Sequence, residues 1–327
     1  MKRRTLIQAG LSTLPLAGTR AWAQSYPSRP IRLINPFPPG GTTDLIARKL
    51  ADLLAPRLGQ PVIVENRAGA SGSIGTSEVA RAAPDGYTLG IAIADSVISV
   101  ASLVKNPGYD VRKDLTPLFQ VMEAQTVLFA SRQLGVKNIP ELLQAAKARP
   151  GMITFGSWGT GTTVHQVMGA LERHAGVSFL HVPYKGVAQI QQDIVGNTVN
   201  ITVGPLALVN QYVQKGYIYP LAIQGTERNS MVPTVPTYKE QGVDAPFLQT
   251  MFWVGLVAPK GLPAELQKRW VDVLNEVCRT PEYENFLVNG LGGARAVLKG
   301  PAEFARDIAT EFTMTNNLLR GMGVVPQ

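Results

Sequence analysis

Short runs of β-branched and apolar residues recur along the chain, separated by stretches whose apolar positions fall three and four apart. The runs Ile31–Ile34, Val62–Glu65, Thr88–Ala94, Val127–Ser131, Ile153–Phe155, Phe179–Pro183, Val199–Val203 and Leu221–Gln224 predict strands. Between them the helical period is plain. Ile46, Leu50, Leu53, Leu54 and Leu58 form one stripe stopped by Gly59; Leu142, Leu143 and Ala146 form another, opened by Pro140 and ended by Pro150-Gly151. This alternation predicts an α/β chain of mostly parallel sheets flanked by helices, with a change from one unit to the next near residues 120–127. The last third has a different rhythm. After the apolar run Met251–Ala258, Pro263, Pro281 and Pro301 each open a helix with no strand expected between them, and such terminal helices pack back on an earlier sheet.

Two strand-to-helix junctions carry glycine and threonine in place of ordinary turn residues. The first, residues 36–44, reads Pro-Phe-Pro-Pro-Gly-Gly-Thr-Thr-Asp; the second, residues 156–165, reads Gly-Ser-Trp-Gly-Thr-Gly-Thr-Thr-Val-His. Glycine allows tight turning and close approach to a ligand, and Thr42 is a favourable N-cap. The helix behind each loop offers unpaired N–H groups and the positive end of its dipole, which suits an anion. Ligands of parallel α/β sheets lie at the carboxyl ends of strands, where both loops fall. Two such loops can grip one acid from opposite sides.

Charge and composition narrow the classes. Met1-Lys2-Arg3-Arg4, a modest apolar stretch from Leu6 to Ala17 and the triplet Ala21-Trp22-Ala23 have the layout of an export signal cut after Ala23, by the general or the twin-arginine route. The whole chain carries +8, but four of those charges, Lys2, Arg3, Arg4 and Arg20, lie in that signal, so the exported protein keeps +4 with its charges scattered along helices. Nucleic-acid binding needs clustered basic residues with aromatic interleaving, and is not expected. Cys278 is the single cysteine, so no intrachain disulfide forms, and with three dispersed histidines (His165, His174 and His181) no tetrahedral metal site is expected. No cofactor motif stands out either: Gly159-Thr160-Gly161-Thr162-Thr163-Val164 lacks the third glycine of the dinucleotide fingerprint, and Ser102-Leu103-Val104-Lys105 lacks the companion motifs of a Ser-x-x-Lys enzyme. A hydrolase therefore stays a minor alternative.

Several segments then coincide with a known pattern. Tyr26-Pro27-Ser28-Arg29-Pro30-Ile31, the Pro36–Asp44 loop, Val64-Glu65-Asn66-Arg67-Ala68-Gly69-Ala70, Pro84-Asp85-Gly86-Tyr87-Thr88-Leu89, His181-Val182-Pro183-Tyr184-Lys185-Gly186 and Val235-Pro236-Thr237 resemble, in order, the Bug family of extracytoplasmic solute-binding receptors of tripartite tricarboxylate transporters. The resemblance implies a two-lobed periplasmic-binding-protein fold: a cleaved signal at 1–23, lobe 1 from 24–124 plus 250–327, and lobe 2 from 125–249. It implies C-terminal helices returning to lobe 1 and a small carboxylate held in the cleft. Carried over by position, Gly40, Gly41, Thr42, Ser157, Gly159, Thr160, Gly161 and Thr162 form the anion grip, with Phe37 walling the cleft.

Other candidates are weighed against plainer roles. Asp44 in the first turn complements the helix dipole more readily than it meets ligand. His165 either faces the pocket or braces its loop; Trp158 stacks on or covers the ligand; Tyr184-Lys185-Gly186 follows a strand towards the cleft, with Lys185 either reaching it or only solvating a helix start. Two positions depart from the family pattern: Asp95-Ser96 stands where small uncharged residues are usual, and Gly204-Pro205 where many relatives carry Asp. A carboxylate at the cleft rim would repel a second ligand carboxylate and favour an amine or hydroxyl. The expectation is a monomeric, non-enzymatic periplasmic receptor that captures a small organic acid and presents its closed form to membrane permease subunits, or alternatively to a sensor-kinase ectodomain.

Overall fold

The computed structural model describes residues 26–206 and 210–326; the export signal read from residues 1–23 lies outside them. The chain lays down β1 (Ile31–Asn35), α1 (Thr42–Leu58), β2 (Val62–Asn66), α2 (Ser73–Ala80) and β3 (Thr88–Ala92). A π-turn at Asp95–Ser99 and the short α3 (Val100–Leu103) and α4 (Val111–Asp114) lead into β4 (Leu115–Ala124). Gln125 alone separates β4 from β5 (Thr126–Ser131), the first strand of a second sheet. There follow α5 (Ile139–Ala148), β6 (Thr154–Ser157), α6 (Thr163–Ala175), β7 (Leu180–Pro183), α7 (Val187–Val195), β8 (Ile201–Pro205), α8 (Asn210–Gln214) and β9 (Ile218–Ile223). The chain returns to the first sheet through β10 (Phe252–Pro259), then α9 (Ala264–Cys278), α10 (Pro281–Asn285), β11 (Arg295–Lys299) and α11 (Pro301–Gly321).

The first sheet runs β11-β4-β10-β3-β1-β2 and the second β7-β6-β8-β5-β9. Both are mixed, which corrects the expectation of mostly parallel sheets. β1 pairs in parallel with β2 and β3, and β6 with β7 and β8, but β10 is antiparallel to both β3 and β4, and β5 to both β8 and β9. The physical reason is the two crossings between sheets: each brings the chain in as a strand without a preceding βα crossover, so direction is free to reverse. β11 corrects a second expectation, since a strand does interrupt the terminal helices, pairing at the sheet edge with β4.

Local chemistry accounts for the elements. The α1 stripe predicted by periodicity is the buried face: Ile46, Leu50, Leu53, Leu54 and Leu58 all pack in the first-lobe core. Gly59 ends it in the left-handed region at φ 68°, its N–H donating to Ala55 O, as a C′ glycine does. Against the same core lies Trp270 of α9, whose Nε1–H donates to Tyr26 Oη at 2.8 Å. β10 is buried along all but its first residue, which is why it reads as an unbroken apolar run without alternation.

α11 belongs to both halves. Phe304 and Ile308 sit in a first-lobe cluster, Phe304 packing edge-on against Trp253 at 5.2 Å, with its ring filling the space that a side chain at Gly255 would need. Farther along, Met314 and Leu318 lie against the second-lobe core, and Met322 just beyond α11 covers Gly169 of α6. The terminal helices return to the first lobe as expected, and α11 in addition reaches the second.

Candidate functional site

The two glycine-rich loops stand at the carboxyl ends of β1 and β6, each opening into a helix, α1 and α6. The lobes touch beside each of them. Pro38 lies 3.9 Å from where a Cβ on Gly186 would stand, Ser71 Oγ 3.8 Å from the same point on Gly159, and Leu103 fills the space beside Gly161.

The α1 terminus is open. Gly41, not Thr42, is the N-cap, and no side chain caps the helix; Thr42 is its first residue and is buried with Thr43. Thr42 does not take the cap role expected of it, and Asp44 at the third helical position reaches back to the loop before the helix. Its Oδ2 accepts the Gly40 N–H at 3.0 Å and Arg48 Nε at 3.1 Å, and its Oδ1 accepts Asn66 Nδ2 at 2.9 Å. Burial works against the charged carboxyl, but these three donors outweigh it and hold the pKa below the ordinary value. Asp44 thus carries its plainer role, and the Gly40 amide is spoken for. The N–H groups of Gly41, Thr42 and Thr43 donate to no other group among the described residues. Phe37, half-buried, presents its ring to Gly72, and its carbonyl accepts Asn35 Nδ2 and Asn66 Nδ2, which pins the loop.

The first amide of α6 is taken. Asp95, expected at the cleft rim, is fully buried: Oδ1 accepts the Thr163 amide at 2.9 Å and the Thr163 hydroxyl at 2.8 Å, and Oδ2 accepts Trp158 Nε1 at 2.8 Å. A first-lobe carboxylate therefore sits on the second-lobe helix terminus. The reason is local. The π-turn that follows β3 carries Asp95 inward, and the positive end of α6 with three donors offsets part of the cost of burying a charge. Burial still pushes the Asp95 carboxyl above its usual pKa, against the pull of Trp158 and Thr163. Trp158, read from sequence as a cover for ligand, spends its indole N–H on Asp95. Ser96 is also fully buried and turns its hydroxyl onto the Ile93 carbonyl at 3.2 Å.

The rest of the second loop is braced from within. Ser157 Oγ accepts the Gly159 N–H at 3.1 Å and lies 2.6 Å from His181 Nε2; Thr162 Oγ1 donates to Gly159 O at 2.7 Å; Thr160 is exposed. His165 Nδ1 accepts the Gly161 N–H at 2.8 Å, so that ring nitrogen is unprotonated. His165 stacks on His181 at 4.3 Å and His181 on Phe155 at 4.7 Å. Burial, and then the His181 ring beside it, lower the His165 pKa to about 4. Tyr184 donates its hydroxyl to Asp193 Oδ2 at 2.6 Å and so ties the β7–α7 junction, while Gly204 and Pro205 line a small apolar pocket with Trp158, Phe129 and Ile190.

Three contributors were missed. Gly69, Ala70, Ser71 and Gly72 all have positive φ, from 45° to 137°, and form a third loop against Phe37, Ser96 and the Gly159 loop. Ala70 and Ser71 are strained there, and the one available signal was the run of small residues after Arg67. Ser99 Oγ accepts Gln166 Nε2 at 2.8 Å, a second polar bridge between lobes. Glu311 on α11 lies within the field of Asp95; burial raises its pKa to about 7, against the Trp253 Nε1–H it accepts at 2.5 Å.

Residues 46–323 match the tripartite tricarboxylate transporter family receptor, TctC. The chain belongs to this family. It is a solute-binding receptor and not an enzyme. Among its relatives is protein BugT of Bordetella pertussis, 34% identical over 303 residues, which cover 92% of this chain and 91% of BugT. The solved periplasmic binding protein BugD matches with a TM-score of 0.84 and 31% identity, over 92% of the receptor and 100% of BugD. The R. palustris protein Rpa4515, solved with adipate, matches with a TM-score of 0.86 and 28% identity, over 92% of the receptor and 100% of that chain.

Proposed function

We propose that this receptor works in the periplasm, where it holds a small organic acid between its lobes and delivers it to the membrane permease subunits of a tripartite transporter. The observation that carries the reading is the amide set of Gly41, Thr42 and Thr43 at the start of α1, without an acceptor among the described residues, in a loop whose Pro38 lies beside Gly186 of the second lobe. Each charge-assisted bond from such donors contributes about 1.5–3 kcal/mol once water is excluded, so three of them with the helix terminus reach micromolar affinity, near −8 kcal/mol. The adipate in Rpa4515 supports a carboxylate as the ligand class. Closure is the working step: a ligand shifts the open and closed forms only through contacts it makes better when the lobes meet.

The test is isothermal calorimetry of protein unfolded and refolded to strip carried-over ligand, against a panel of carboxylic acids, with native mass spectrometry of the untreated protein to identify what co-purifies. A saturable heat with at least one acid, lost in Thr42→Pro, is expected. A protein indifferent to every acid offered refutes the reading.

A further inference from the structure

We propose that the slot beside Gly204 seats the apolar end of the ligand, so that the receptor selects among organic acids by the length of an uncharged hydrocarbon tail. This rests on the carboxylate-receptor reading above and deepens it by naming the chemistry of the ligand's far end.

The slot arises where two parallel strands part. β6 and β8 pair at Phe155–Ile201 and Gly156–Thr202 and no farther, while β8 runs on to Pro205 against β5. The chain leaves β6 through α6 towards β7 on one side, and leaves β8 through α8 towards β9 on the other. The crevice at the carboxyl ends of such a strand pair is where α/β sheets take ligands. Alternation along β8 puts Gly204 on the same face as Thr202 and its partner Gly156. A Cβ at Gly156 would meet Ile190 of α7, Tyr184 and Val199 at 3.1–3.3 Å, so its space is filled; a Cβ at Gly204 would meet nothing within 4 Å. The missing side chain leaves a cavity of about 20 Å3, room for one methyl-sized group.

The wall of the slot is mostly hydrocarbon, from Trp158, Phe129, Ile190, Val187 and Pro205. No charged residue lines it, and the Thr202 hydroxyl donates to Gly156 O at 2.9 Å. An ionic group entering would shed its water without meeting an opposite charge. A methyl group meets no such cost. Two lobe contacts flank the slot: Trp158 donates to Asp95 of the first lobe at 2.8 Å, and a Cβ at Gly186, one residue before Val187, would lie 3.9 Å from Pro38. Pro38 sits in the loop that carries the Gly41, Thr42 and Thr43 amides, so the slot and the proposed carboxylate seat flank the same contact.

The experiment is calorimetry of refolded wild type, Gly204→Ala and Ile190→Ala with the straight-chain acids from acetate to octanoate. In the wild type, affinity is expected to climb about fourfold with the carbon that enters the slot, peak, and fall once the tail outgrows it. The isostere of the best acid with an ammonium in place of its terminal methyl should bind at least tenfold more weakly. Gly204→Ala puts its own methyl in the slot and should move the optimum to an acid one carbon shorter, whereas Ile190→Ala enlarges the slot and should move it to a longer one. The two shifts have opposite sign, so impaired folding does not mimic them. An affinity indifferent to chain length, an ammonium isostere that matches the best acid, or one optimum shared by wild type and Gly204→Ala overturns the slot alone. Silence towards the whole series, with heat from another acid of the panel above, does the same. Silence towards every acid overturns the carboxylate-receptor reading and this inference with it.

Discussion

Replacing Thr163 with valine isolates one of the bonds that hold the lobes together. Valine keeps the β-branched shape and differs little from threonine in helix propensity, so neither a cavity nor backbone strain is introduced. What is lost is the 2.8 Å bond from the hydroxyl to Asp95 Oδ1, leaving the Thr163 amide at 2.9 Å and Trp158 Nε1 at 2.8 Å. Because Asp95 has no exposed surface, water does not replace the missing donor. A hydrogen bond to a charged group contributes about 1.5–3 kcal/mol, so a loss of about 2 kcal/mol is expected in urea unfolding. With a slope of about 3 kcal/mol per molar, the midpoint drops by about 0.7 M. Thr160→Val, at an exposed site of the same loop, should shift it by less than a quarter of that. The difference between wild type and Thr163→Val should narrow in acid, once the Asp95 carboxyl, whose pKa is raised, takes up a proton and the bond is no longer charge-assisted. A variant within about 0.5 kcal/mol of wild type at neutral pH would mean that the Thr163 hydroxyl bond to Asp95 contributes nothing to stability.

Other expectations concern the surrounding packing and titration. His165 has its folded pKa lowered from 6.5 to about 4, so the unfolded chain takes the proton first; stability is full above pH 6.5 and falls as pH drops towards about 4. An NMR titration of the His165 Cε1–H with a midpoint near 6.5 would contradict this. Gly161 has φ 73° and Leu103 against its Cα, so Gly161→Ala should lower stability by more than about 1 kcal/mol, with partial rescue by Leu103→Ala if the clash is the cause. Leu50→Ala removes a fully buried side chain from the first-lobe core and should cost about 2–5 kcal/mol by thermal or urea unfolding.

Much of the scaffold is legible in the pattern of residues. All eight strands read from apolar runs exist, with ends shifted by a few residues, and the stripe from Ile46 to Leu58 is the buried face of α1. β4 was hidden for two reasons: it is largely buried on both faces and interrupted by Thr116, Gln120 and Glu123, so it shows no alternation, and it contains Pro117, which is tolerated because it falls where the β10 register shifts between Leu256 and Val257. β11 is short and half-exposed, with too few apolar positions to show a period. In the site, the glycines and threonines announced helix termini, and both loops do open helices. The sequence alone could not assign the acceptors. Asp44 and Asp95 are both carboxylates next to glycine-rich loops, yet one pins the loop four residues before it and the other reaches a helix 68 residues away. Only tertiary placement separates those two outcomes.

The span of α11 across both halves sets how far they can part. Phe304 is rooted in one core, and Met314, Leu318 and Met322 rest on the other, so a wide swing must either peel the last turns off α6 or bow the rod. Peeling exposes apolar surface at about 25 cal/mol per Å2, and bowing strains a continuous ladder of backbone bonds. The tail therefore acts as a tether on the jaws, and the strands that cross between the sheets bend only as much as that tether has slack.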